Sequence, residues 1–118
     1  MDGSTSLVPV VANAVVAVSS NITGFVTKTR AKGVVERGQL EYLRDQTAKV
    51  LADVRACHLG DLVATNLEQL ARTQYQINNL EREGRLVGNS LIMAMDQLSV
   101  LNNLLQSNLR NFINRDLR

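Results

Sequence analysis

The chain has 118 residues and a net charge of +2, with two Phe, two Tyr, no Trp, one Pro and one Cys. That length holds one domain with a modest core, and so few rings argue against an enzyme pocket, which aromatics usually line. A single cysteine excludes an internal disulfide and favours a reducing compartment.

Charge is distributed unevenly. Gly3 to Thr27 carries none, and Leu86 to Leu109 carries only Asp96. Lys28 to Arg85 has the charge density of ordinary solvated helices. Lys28, Arg30, Lys32 and Arg37 against Glu36 make one local basic stretch, and the rest of the chain after Arg37 balances. A nucleic-acid binder needs a broader basic face, so no nucleic-acid partner is expected. The basic stretch reads as a solvated helix start or turn.

In chain order, Ser4, Thr5 and Ser6 offer N-caps and Pro9 suits a first helical turn. The valine-rich run that follows is β-branched, yet it is too long for one strand and has no partner strand elsewhere. Val11, Val15, Val18, Ile22 and Val26 recur at threes and fours, which predicts a helix over 6–32. Gly33 and Gly38 then bracket a turn. A second helix is predicted over 36–58, with Leu40, Leu43, Thr47, Val50, Val54 and Cys57 forming a heptad-like seam. Arg37–Glu41, Asp45–Lys49 and Lys49–Asp53 are i, i+4 pairs on its outer side. Gly60 reads as a C′ glycine and Asp61 as the next N-cap.

A third helix is predicted over 61–83, where Val63, Leu67, Leu70, Ile77 and Leu80 keep helical spacing, with Glu68–Arg72 and Glu81–Arg85 as solvent pairs. Gly84 and Gly88 leave two alternatives: a turn, or a long helix with a small-xxx-small face. The turn is favoured outside a membrane, because glycine costs a helix interior about 1 kcal/mol. The last helix, over 89–114, has a seam of Leu91, Met95, Leu98, Asn102, Leu105, Leu109 and Phe112. Ile92, Leu101, Leu104 and Ile113 widen its apolar face, which therefore asks for more than one neighbouring helix. Asn102 lies on the seam itself, where a buried polar residue sets register or oligomeric state.

The search for chemistry finds no constellation. Cys57 and His58 are adjacent and would diverge by about 100° on a helix, so neither activates the other. One Cys and one His cannot close a zinc site. Phosphate loops, nucleophile elbows and dinucleotide fingerprints are absent from the sequence. No catalytic, cofactor-binding or metal residues are assigned, and no cofactor is expected.

The expected fold is all-α: one helical domain over 1–118, as a three- or four-helix bundle or an elongated helical hairpin with coiled-coil-like seams. The expected function is non-enzymatic self-assembly into a filament, tube or larger complex through the charge-poor terminal helices. Expected subunit contacts are Val11, Val15, Val18, Ile22, Val26, Leu91, Met95, Leu98, Asn102, Leu105, Leu109 and Phe112, with another copy or another helical protein as partner. An alternative is membrane association through residues 7–26, which have the length of a span and a basic flank. Asn13, Ser19, Ser20, Asn21 and Thr23 dilute that segment, and overall mean hydropathy is only −0.05. A second alternative is a cytoplasmic adaptor or immunity-type binding protein. Asp2 in place of a basic n-region, with no small-x-small cleavage site after the apolar run, argues against a secretory signal. The expected location is cytoplasmic or within an assembled particle.

Overall fold

The three-and-four spacings all become helix. A computed structural model describes residues 3–116, with side chains over 7–115. It contains α1 (Gly3–Lys32), α2 (Arg37–Ala56), α3 (Asp61–Arg82) and α4 (Asn89–Asp116), and no strand among the described residues. Each boundary lies within three residues of its expected place. The cap proposed at Ser4–Ser6 concerns side chains outside the described ones. With α1 described from Gly3, Pro9 stands inside the helix rather than in its first turn.

The helices alternate up and down and close into a ring. α1 packs on α2, α2 on α3, α3 on α4 and α4 back on α1, while diagonal pairs make no contact. This is a four-helix bundle rather than an extended hairpin, and it measures 51 × 21 × 19 Å. At 1.5 Å per residue, the 30 residues of α1 and 28 of α4 outrun the 20 of α2 and 22 of α3. Asn21 donates to Gln46 Oε1 at 2.9 Å and Gln106 to Ser19 Oγ at 2.6 Å, which fixes the level of α1 against its two neighbours. The first turns of α1 therefore run on past the α2–α3 turn.

The core fills with aliphatic side chains at the expected positions. Leu40, Leu43, Thr47, Val50 and Val54 are buried on α2, and Val63, Leu67, Leu70 and Ile77 on α3. Cys57 and Leu80 are only partly buried, against the edge of this core. Phe25 is the one fully buried ring. Its place in the core follows from lying three residues after Ile22 on the same stripe.

The break left open in the sequence, at Gly84 and Gly88, is a turn. Gly84, at φ 69°, closes α3 with bonds from Gly84 N–H to Glu81 C=O and from Arg85 N–H to Leu80 C=O, the Schellman arrangement. The end of α2 corrects the expectation placed on Gly60. The left-handed C′ residue is His58, at φ 54°, with His58 N–H bonded to Arg55 C=O and Leu59 N–H to Val54 C=O. Gly60 is instead the residue before α3, at φ 114°, and a Cβ there would lie 3.1 Å from the Phe112 ring. Asp61 is the first helical residue rather than a cap.

The expected i, i+4 pairing also gives way to tertiary pairing. Arg37 binds Glu81 at 3.1 Å, and Arg55 binds Glu68, both from α2 to α3. Arg85 turns to Glu83. Antiparallel α2 and α3 bring these partners as near as a helical turn would. All but Glu81, which is 22% exposed, are substantially exposed, so each pair contributes about 1 kcal/mol or less.

The α2–α3 turn generates a pair of expectations of opposite sign. His58→Gly relieves a left-handed non-glycine residue and should stabilise by about 0.5–1 kcal/mol. Gly60→Ala should cost about 2 kcal/mol, from the φ penalty and the Phe112 clash together. Urea denaturation followed by circular dichroism reads both. A destabilised His58→Gly would show that the imidazole makes a contact that outweighs the backbone strain.

Candidate functional site

The ring order brings the two charge-poor helices side by side. α1 and α4, apart in sequence, form one long side of the bundle, while α2 and α3 carry most of the charge on the other. Along that α1–α4 face the charged groups are Arg30, paired with Asp96 at 2.7 Å, and Arg110 near the far end. Lys28 and Lys32 stand near the α1–α2 turn, and Arg115 in the last turn of α4. Among the described side chains, eight of the thirteen exposed large hydrophobics belong to α1 or α4. Leftover apolar surface is therefore concentrated on these two helices.

The twelve residues expected at subunit contacts are placed elsewhere. Eleven are buried within this one chain, and Phe112 is partly buried against its core. The broad apolar arcs of α1 and α4 are satisfied by each other and by α2 and α3. What remains for another molecule is the outer flank: Val16 on α1, 51% exposed, with Ile92 and Ile113 on α4, 57% and 37% exposed. Sequence reasoning chose the strongest stripe of each helix, and the strongest stripe is the one the monomer uses. Only the surplus beyond a core-sized arc, visible in Ile92 and Ile113, pointed to this flank.

A shallow groove runs between the two helices. Its lower part, of about 330 Å³, lies among Val15, Val16, Ser20, Leu109, Arg110 and Ile113. Its upper part, of about 310 Å³, lies among Arg30, Gly33, Gly88, Ile92 and Met95. Between them the helices are clamped by polar groups. Asn102 Nδ2 donates to Ser19 C=O at 3.2 Å and to Thr23 Oγ1 at 3.1 Å. Thr23 Oγ1 in turn donates to Ser19 C=O at 3.1 Å.

Asn102 is thus a buried seam residue, as its position suggested, but it sets the register of α4 on α1 inside one chain. Its Oδ1 has no hydrogen-bond partner among the described residues, and the same holds for Oε1 of fully buried Gln74. The Gln74 amide donates to Thr47 Oγ1 at 3.0 Å, joining α3 to α2. These two orphan oxygens are costly, since an unpaired buried acceptor forfeits roughly 1–3 kcal/mol.

Nothing else in the described residues assembles into chemistry. Cys57 ends α2 and His58 leaves it with an exposed ring. No group of three or more His, Cys, Asp or Glu could hold a metal ion among the described residues. α1 is long and apolar enough to cross a membrane by length and composition, with a mean hydropathy of 1.5 over its most apolar 18 residues within Leu7–Lys32. No protein family, curated protein or solved structure matches the chain.

The polar clamp yields a direct test. Asn102→Leu keeps the branched shape and removes the orphan oxygen, while Thr23 retains its bond to Ser19 C=O. It should raise stability by about 1 kcal/mol. Asn102→Asp buries an unpaired charge and should cost about 3 kcal/mol or more. Denaturant midpoints measure both, and a destabilised Asn102→Leu would show that the two bonds to α1 outweigh the orphan oxygen.

Proposed function

We propose that this protein is a non-enzymatic structural subunit that self-associates through the outer α1–α4 face. One observation carries the reading: a charge-poor, partly apolar side of the bundle stands opposite a heavily charged one. On that face Val16, Ile92 and Ile113 remain exposed, and a charge-poor face that keeps apolar groups exposed is a candidate contact surface. An identical chain is the most economical partner for a face built only from this chain's own helices.

The membrane reading rests on the length and apolarity of α1. Two observations weigh toward protein packing. The inner stripe Val11, Val15, Val18, Ile22 and Val26 is already buried in the core of the bundle, where α1 packs on α2 and α4. Three polar residues of α1 have protein partners: Asn21 meets Gln46, and Ser19 and Thr23 meet Asn102. An adaptor role for other helical proteins would use the same outer face, and it differs in predicting a monomer when the chain is alone.

Analytical ultracentrifugation of the purified chain without detergent decides among these. Self-association predicts species above 13.0 kDa that grow with concentration. Val16→Glu should abolish them with helix content unchanged, because the side chain is half exposed in the monomer. Lys49→Ala, on the charged side, should leave association and stability unaltered within about 0.5 kcal/mol. A chain that stays monomeric into the high micromolar range would rule out self-assembly, and insolubility without detergent would favour the membrane.

A further inference from the structure

We infer that the partner on the α1–α4 face is a second copy of the same chain, bound antiparallel about a two-fold axis that passes beside Asn103. The inference rests on the self-association reading above and adds symmetry, register and the pairs that meet. It comes from the outer edge of α4 next to α1. Asp96, Asn103 and Arg110 follow one another at seven-residue intervals, so they share one line along the helix. All three are exposed. Asn103 stands midway, and the opposite charges stand about 10 Å to either side of it along the helix axis.

Such a line is complementary to itself when reversed. Rotated by 180° about Asn103, it sets Asp96 of each copy against Arg110 of the other, twice over, and Asn103 against its own counterpart. Ser99 then meets Gln106, two groups able to exchange hydrogen bonds. Ile92 and Ile113, the exposed isoleucines at the two ends, face each other across copies. A parallel arrangement would instead oppose Asp96 to Asp96 and Arg110 to Arg110, and like charges across an interface are costly.

The monomer leaves these charges free to pair. Arg30 takes only Oδ1 of Asp96, so Oδ2 remains open to a second guanidinium. Arg110 is in no ion pair among the described residues. The groove fits the same symmetry, because the two-fold exchanges its ends. Ile92 of one copy reaches the lower groove beside Val16 and Ile113 of the other, and Ile113 reaches the upper groove beside Ile92.

α1 is compatible with the same axis. Asn102 is bonded to Thr23, so Thr23 lies at the level of the axis. The outer residues around it, Ser20, Gly24 and Thr27, are small and uncharged, which lets a second bundle approach closely. From Ile92 to Ile113 the contact is about 30 Å long, and two helices make it about 20 Å wide. A footprint on the order of 600 Å² per copy is at the low end for a specific interface, so micromolar affinity is expected.

Charge reversal in trans tests the pairing. Arg110→Asp alone opposes two aspartates across each contact, and Asp96→Arg alone opposes two arginines. Each should weaken homodimerisation by about tenfold or more; Arg110→Asp leaves monomer stability unchanged, and Asp96→Arg lowers it slightly by losing the exposed pair to Arg30. Mixing the two variants keeps native Asp96 opposite native Arg110 at one contact and sets the introduced aspartate against the introduced arginine at the other. The mixture should therefore restore dimer to within about threefold of wild type. In a Cys57→Ser background, Asn103→Cys should give a disulfide-linked dimer on mild oxidation, while Tyr42→Cys should not.

Failure of the mixture to recover, or no Asn103→Cys cross-link, overturns the antiparallel α4 pairing. If the reversals have no effect while Val16→Glu still dissociates the wild-type particle, this inference falls and the self-association reading stands. If the wild-type chain is monomeric throughout, both fall.

Discussion

The up-down ring makes the first and last helices neighbours, and every other property of the molecule follows from that closure. A chain with two charge-starved ends could have placed them on opposite sides, each needing its own cover. With α1 packed on α4, each supplies most of what the other must bury, and their unused flanks merge into one surface. The mutual burial also explains how a core with one fully buried ring fills. Valines on α1 and leucines on α4 interleave at the close spacing that small and medium side chains allow, and α2 and α3 close the remaining sides.

Aliphatic seams of this kind slide easily, because one leucine layer packs much like the next. The polar groups at mid-bundle limit that freedom. Asn102 has its two bonds only where Ser19 and Thr23 present a carbonyl and a hydroxyl one turn apart. A shift of α4 by one turn would leave the buried Asn102 amide unpaired, while Thr23 keeps its bond to Ser19 C=O. Gln74 with Thr47 does the same for α3 on α2. The two orphan oxygens are the counterweight, since each helix pair is held in register by an amide whose other end is unsatisfied. Stability is traded for a single alignment, the known use of a polar residue in an apolar seam.

The helices were legible in the sequence because their signals were periodic and local. Four-helix count, boundaries and the α3–α4 turn all rest on residues whose spacing or backbone demands are visible in one dimension. The α2–α3 turn was misread because a histidine, not the nearby glycine, occupies the left-handed position, and propensity names glycine there. Arg37 and Glu68 were misassigned for a different reason. Their best partners, Glu81 and Arg55, come from another helix, and periodicity says nothing of neighbours in space. The subunit-contact residues were misplaced by the same limit. Apolar strength identifies what will be buried, but whether the burying partner is the same chain depends on ring closure, which no single-helix pattern encodes.

A self-complementary face also constrains the size of what it can build. A two-fold contact uses the same patch on both copies and saturates at two. A filament or tube therefore needs a second, different contact, and the exposed apolar groups away from the two-fold line show where it would have to come from. Met93, Val100 and Leu104 lie on the other flank of α4, turned toward α3 by their helical spacing, and all are exposed. Val34 and Val87 project from the two turns at one end of the bundle, again exposed. The flank of α4 is continuous with the proposed dimer surface, so a contact there would join dimers side by side. The valine-bearing turns would join them end to end. The α2–α3 side also exposes Tyr42, Leu62 and Tyr75, the last with Arg44 5.4 Å from its ring centre, but these stand singly among ionised side chains. Any larger particle is thus expected to grow from the α4 side or from the turn end, with α2 and α3 left facing water.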